Sequence, residues 1–397
     1  MMQRLLWSTG LGLSLVIGMP AIAAQSQSID ELFEQGNAAQ SAGHYAEAEA
    51  IWRQVLRQDP NNAEAHNNLG TVLYYQERYA EAEAAYRRAL DIDPNYIIVY
   101  SNLGVALRHQ ERYGEAEAAY HHALALSPND AATYGNLGNV LGDQERYEEA
   151  EAAYRHAVTL APNDASFHSA LGNVLREQGR YEEAEAAYRH ALALAPNDAT
   201  VYNDLANVLW DQEHYEEAEA AYRYSLTLDF NNAVVYSNLG SVLRDQGRYG
   251  EAEAAYRHAL SLDPDNVIAY DNLGDVLSDQ ERYEEAEAAY HHALTLDPDN
   301  ADTYNNLGIV LYAQQRDEEA EAAYRRALTL NPNYAIAYNN LGLLYQAQER
   351  YEDAIAQYRH ALEIDPTLTS AQDNLREAQR LLDLRNAPTP PVPTALS

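Results

Sequence analysis

The chain has 397 residues, no Cys and no Lys: its 26 basic residues are all Arg, set against 61 Asp and Glu for a net charge of −35. A surface that acidic repels nucleic acid and anionic lipid, so neither is expected as a partner. With no Cys there is no disulfide framework, no thiol chemistry and no attachment point for a lipoprotein anchor.

Residues 1–24 read MMQRLLWSTGLGLSLVIGMPAIAA. One basic residue, Arg4, precedes an apolar run through Ile17, then Gly18 and Pro20, then Ala21-Ile22-Ala23, the pattern of a secretory signal peptide cut after Ala23 or Ala24. The apolar core falls short of the about 20 residues a bilayer span needs, and Gly and Ser interrupt it. Export to a periplasm or the exterior is therefore expected, without membrane contact once the leader is gone. An uncleaved N-terminal anchor is the alternative.

From residue 29 to residue 368 a phrase of 34 residues recurs ten times without an insertion: 29–62, 63–96, 97–130, 131–164, 165–198, 199–232, 233–266, 267–300, 301–334 and 335–368. Its clearest form is the eighth copy, VIAYDNLGDVLSDQERYEEAEAAYHHALTLDPDN. Tyr270, Leu273, Gly274 and Leu277 stand at helical spacing, and after a polar break Tyr283, Ala286, Tyr290, Ala293 and Leu294 do so again. Each copy thus predicts two amphipathic helices, neither able to bury its stripe alone. Pro298 ends the second because it lacks an N–H, and Asp299 or Asn300 can cap the helix that follows. Gly274 and Ala286 fall where two helix backbones are expected to approach closely. Much of the acidity lies in the acidic openings of the second helices, Glu-Glu-Ala-Glu in five of them, where acids suit the helix dipole and are expected to face solvent.

The first copy is degenerate, with Gln35 in a Leu position and Trp52 in a Tyr position, as in a cap whose outer face stays wet. After the tenth copy, residues 369–385 carry Ala371, Leu375, Ala378, Leu381 and Leu382, one further helix that closes the array. Residues 386–397, NAPTPPVPTALS, have four prolines in twelve positions and predict an extended, disordered tail.

Tyr270, Leu273-Gly274, Ala286, Tyr290, Ala293 and Pro298 meet the aromatic, Leu-Gly, Ala, aromatic, Ala, Pro pattern of tetratricopeptide repeats, which the chain resembles over residues 29–368. The resemblance implies an all-α fold: a right-handed α-solenoid superhelix of antiparallel helix pairs, whose leading helices line a concave groove that holds a partner. In that family the second, fifth, sixth, ninth, twelfth and thirteenth positions of a copy face the groove. Helical spacing independently places them opposite the Tyr-Leu-Gly-Leu stripe.

On that face the sixth position is Asn in seven copies: Asn68, Asn102, Asn136, Asn238, Asn272, Asn306 and Asn340. An amide offers donors and an acceptor that can pair with the N–H and C=O of an extended peptide whatever its sequence. This ladder is similar to that in the superhelix of O-linked N-acetylglucosamine transferase, whose glycosyltransferase domain has no counterpart in this sequence. The amides could equally bond between neighbouring helices. The ladder breaks at Ala170 and Asp204, and the sixth copy adds Trp210, with Ala206 for Gly, Ser225 for Ala and Phe230 for Pro. A specificity pocket, a bend or drift would each account for this, and Asp204 and Trp210 join the Asn residues as candidate partner-binding groups.

The thirteenth position is acidic in five successive copies: Asp143, Glu177, Asp211, Asp245 and Asp279. That favours a basic or neutral partner, unless Arg108, Arg176 and Arg244 one residue earlier neutralise these acids across neighbouring turns. Chaperone-binding relatives clamp a C-terminal carboxylate with basic groove residues beside two Asn; Asn139, Asn173 and Asn207 supply an amide here but the basic residues are missing, so that ligand is not expected. His122, His156, His190, His258, His292 and His360 recur on the second helices, too far apart to converge on one metal. Motifs for zinc, nucleophilic, phosphate-loop or calcium chemistry are absent. The sequence therefore predicts a non-enzymatic scaffold or assembly factor that grips a protein segment in its groove, without catalytic residue, metal or cofactor. A self-associating array with no peptide ligand is the alternative.

Overall fold

The computed structural model describes residues 27–387, so the predicted leader and the tail from residue 388 onward lie outside the described residues. Every described element is a helix. The two helices of a copy are 12 to 14 residues long, as in Val267–Asp279 and Tyr283–Leu296 of the eighth copy. A closing helix, Thr369–Asn386, runs one residue further than the sequence suggests. The chain divides into two compact units, Met1–Gln144 and Glu145–Ser397, with the boundary inside the fourth copy. In each unit helices pack against their neighbours in chain order, giving an α-solenoid.

The turns explain the strict period. After a leading helix the chain enters the left-handed region at the fifteenth position, which is Gly43, Gly179 or Gly247 in three copies and a Glu or Gln in seven, such as Glu281 at φ 58°. The next N–H closes back on the helix, Arg282 N–H donating to the Leu277 carbonyl at 2.9 Å, a Schellman-type stop that sends the chain straight back. At the other end Asp299 N–H donates to the Asp297 carboxylate at 3.2 Å, and Asn300 accepts from Thr303 N–H at 3.1 Å to cap the next leading helix.

Packing within a pair corrects the sequence reading of the glycines. What approaches Gly274 is the ring of Tyr290, not a backbone: a Cβ built there would lie 2.5 Å from Tyr290 Cε1. Trp52 fills the same place against Gly36 in the first copy. Tyr120, Tyr188, Tyr222, Tyr256, Tyr290 and Tyr358 are all fully buried, one per pair, and after Trp52 are the largest fully buried side chains among the described residues.

Between copies, one acid per trailing helix is an anchor and not a solvated charge. Glu49 accepts from Arg78 at 2.7 Å and Gln76 at 3.1 Å in the following copy, and Glu151 does the same with Arg180 and Gln178 at 2.7 and 3.0 Å. Glu83, Glu219, Glu253 and Glu287 repeat the Arg pairing. Burial opposes ionisation of these carboxyls, yet the convergent Arg and Gln donors outweigh it and hold them below the usual range.

Candidate functional site

Within each unit, leading helices of successive copies from the second copy on touch one another, while no trailing helix makes a comparable contact with the next among the described residues. A stack whose one edge is more tightly spaced curves toward that edge, so the leading helices line the inner face.

The amides of that face are tied together. In the first unit Asn102 donates to Asn67 at 3.0 Å, and Asn67 donates to Asn68 at 3.1 Å. In the second, Asn238 donates to Asn203 at 3.2 Å, Asn306 to Asp275 at 3.2 Å, and Asn340 to Asn305 at 2.9 Å. Asn102, Asn238, Asn306 and Asn340 therefore bond back to the fifth or ninth position of the copy before. All seven, Asn136 and Asn272 included, are half-buried. An amide nitrogen carries two hydrogens, so where one N–H holds the neighbouring copy the other is left for a ligand, except at Asn238, which also donates to Asn207 at 3.4 Å and keeps its carbonyl oxygen. The sequence reading missed Asn374 on the closing helix, which donates to Asn339 at 2.9 Å. Its signal was present: DNL at 373–375 is the DNLG phrase with the glycine lost.

Beside the amides runs a second row. Arg108 pairs with Asp143, Arg176 with Asp211 and Arg244 with Asp279, at 2.5, 2.7 and 2.6 Å. The thirteenth-position acids are thus met by Arg of the preceding copy, 35 residues away, and not by a neighbouring turn of their own helix. Trp210 takes the Arg place in the sixth copy, its indole N–H donating to Asp245 at 2.7 Å. Asp204 accepts from Asn203 at 3.2 Å, and burial raises its pKa.

The eighth copy is the most acidic part of this face, with Asp271, Asp275 and Asp279 one turn apart. Asp275 accepts from the Tyr290 hydroxyl at 2.7 Å and from Arg244 at 2.9 Å. One Asp271 oxygen accepts from Thr303 at 2.7 Å; the other is buried without a partner, and burial pushes this carboxyl up to about 6. A cavity of about 230 Å³ opens here between Arg244, Asp275, Asp279, Tyr290, Asn306 and Ile309.

The outer face carries shallow clefts of about 360 and 470 Å³ between trailing helices, floored in the first by Leu90, Leu103 and Leu107. The recurrent histidines belong there: His122, His258, His292 and His360 pack on Tyr100, Tyr236, Tyr270 and Tyr338 of their own copies. Among the described residues no three metal-ligating side chains converge.

Residues 18–227 match the family model of the cilia and flagella-associated protein 70 C-terminal domain, a tetratricopeptide-repeat domain, and 231–299, 265–331 and 299–367 match the tetratricopeptide repeat itself. The chain belongs to the tetratricopeptide-repeat family. Its fold is shared with the Cut9–Hcn1 hetero-tetramer of the APC/C, at 15% identity and a TM-score of 0.52 over 88% of this chain and 90% of that one. A tetratricopeptide repeat protein from Parabacteroides merdae shares it at 20% identity and a TM-score of 0.51, over 64% of this chain and 99% of that one. No curated protein matches. Proteins of this family are in general interaction scaffolds that bind other proteins or peptides.

Proposed function

We propose that the chain is an exported, non-catalytic scaffold that holds an extended segment of a partner protein along the row of side-chain amides on its leading helices. The observation that carries this is the amide row of the second unit, which runs over four successive leading helices, at Asn238, Asn272, Asn306 and Asn340, and on to Asn374 of the closing helix. Each is fixed by its place in a rigid stack and keeps hydrogen-bonding capacity for a peptide backbone. A single such bond contributes about 1 kcal/mol net, so several in series are needed to offset the ordering of an extended chain. Export rests on the leader-like residues 1–24, and fractionation of cells expressing the full chain checks it.

The test of the groove is affinity capture with the full-length protein and with the Asn238→Ala, Asn272→Ala, Asn306→Ala triple variant. The expected result is a partner retained by the first and lost by the second at equal helicity. A folded triple variant that keeps the partner refutes the proposal.

A further inference from the structure

The groove of the second unit has two unlike edges. Along one, at the second position of its leading helices, stand Val234, Ile268 and Ile336, exposed by 57, 69 and 50%. They are among the most exposed aliphatic side chains of the described residues, on a protein whose other large apolar groups are mostly buried. Along the other edge, seven to eleven residues further down the same helices, stand Asp245, Asp275 and Asp279, with Arg244 the one cation in contact with the last two. The amide row at the sixth position lies between them.

An extended peptide that turns its backbone N–H and C=O groups down onto that row must send its side chains sideways. They alternate with period two, so odd residues reach one edge and even residues the other. We infer that the segment held by copies seven to ten alternates aliphatic and basic residues, aliphatic toward Val234, Ile268 and Ile336, basic toward Asp245, Asp275 and Asp279. Charge complementarity selects the second set: Asp275 and Asp279 share one guanidinium, Asp245 is met by the neutral Trp210 indole, and Asp271 lies behind them. Asp302, at the second position of the ninth copy, is exposed and interrupts the aliphatic edge between Ile268 and Ile336, so the aliphatic residues of the segment belong against copies seven, eight and ten. Beyond the eighth copy the acidic edge gives way to Ile309, Tyr312 and Ala313, so the basic residues belong to the part of the segment that crosses copies seven and eight. Leading helices packed about 10 Å apart leave about three extended residues per copy, so four copies hold a segment of about twelve. This rests on the groove being the binding face.

Fluorescence anisotropy with four labelled twelve-residue peptides and the full-length chain tests it: alternating Val and Arg, alternating Val and Glu, alternating Ser and Arg, and a block of Val followed by a block of Arg. The alternating Val–Arg peptide is expected to bind at least tenfold tighter than each of the others, and to lose tenfold or more when salt is raised from low to high. Asp275→Asn with Asp279→Asn removes both charges while keeping one acceptor oxygen at each position, enough at 275 for the Tyr290 hydroxyl but not also for Arg244, and is expected to weaken it tenfold; Ile268→Ser with Ile336→Ser, both on the surface, is expected to do likewise. Equal binding of the block peptide, or tighter binding of Val–Glu, overturns the inference on the unmodified protein alone, as does affinity within twofold for both double variants. If the captured partner is lost from the Asn triple variant while Val–Arg and Ser–Arg bind alike, the groove stands as the site and the alternating segment is wrong. If neither partner nor peptide is held, both fall.

Discussion

Replacing Gly274 by Ala sets two opposed effects against each other at a place where the structure fixes both. In a helix interior Ala is favoured over Gly by about 1 kcal/mol. The new Cβ would meet Tyr290 Cε1, Cζ and Cδ1 at 2.5, 2.7 and 2.8 Å, closer than such carbons come without movement. The ring is 1% exposed and its hydroxyl is tied to Asp275 at 2.7 Å, so it has little room to swing. Overpacking of a core costs about 1–3 kcal/mol, and disturbing the Tyr290–Asp275 bond about 1 more. The sixth copy carries Ala206 at this position beside a fully buried Tyr222, with Ser225 in place of the usual Ala, so a methyl can be housed when neighbours change with it. With the neighbours unchanged, the net expectation is a loss of about 1–2 kcal/mol. At Gly250, in the trailing helix Tyr249–Leu262, an added methyl would have nothing within 4 Å, and Gly250→Ala should stabilise. Urea melts followed by far-UV circular dichroism compare the two. If both substitutions raise the midpoint, the ring is not held where it is described and the packing account of the Leu-Gly phrase is wrong.

Acid should loosen the array through its inter-copy anchors. Glu49, Glu83, Glu151, Glu219, Glu253 and Glu287 lie below their ordinary 4.5, so their contribution is complete above that pH and is lost as pH falls through the lowered values. Thermal melts should hold steady from neutrality to about pH 5 and drop steeply below; a flat profile down to about pH 3 would speak against the anchors. Asp271 runs the other way: raised to about 6, it stabilises when protonated and loses that contribution as pH rises through that value. Asp271→Asn should therefore raise the melting midpoint above neutral pH, by a margin that shrinks as the medium is acidified through 6. Glu281→Gly relieves a side chain at φ 58° and should stabilise by about 1 kcal/mol, measured by urea titration, whereas Gly247→Glu should destabilise by a similar amount.

The period of 34 made the helix pairs legible, because apolar spacing and the Pro-Asp-Asn stop are local properties of the chain. Which residue of one copy meets which of the next is not local. It depends on how far each helix is rotated, and the contacts fall at offsets of 35, 29 and 27, as in Arg244–Asp279, Glu49–Arg78 and Glu49–Gln76. That is why the acids of the groove look unpaired in the sequence, why Glu287 reads as solvated, and why the ring against Gly274 reads as a backbone. The amide row was legible as a row, and bonding between neighbouring helices as one of two uses for it, but not which residues the amides reach. The aliphatic edge of Val234, Ile268 and Ile336 was hidden because an exposed Ile in an amphipathic pattern looks like a buried one slightly out of phase.

Since the glutamate anchors that join one copy to the next keep the same offset to an Arg along each unit, they need no partner unique to one copy. Excising 34 residues inside the second unit, for instance 267–300, would leave the glutamate anchor of the seventh copy, Glu253, facing Arg316 where it had faced Arg282. The severed ends find equivalent hands to grasp. Reach can therefore be altered by whole modules through unequal recombination, with the anchoring between modules preserved and the span of the captured segment set by how many remain.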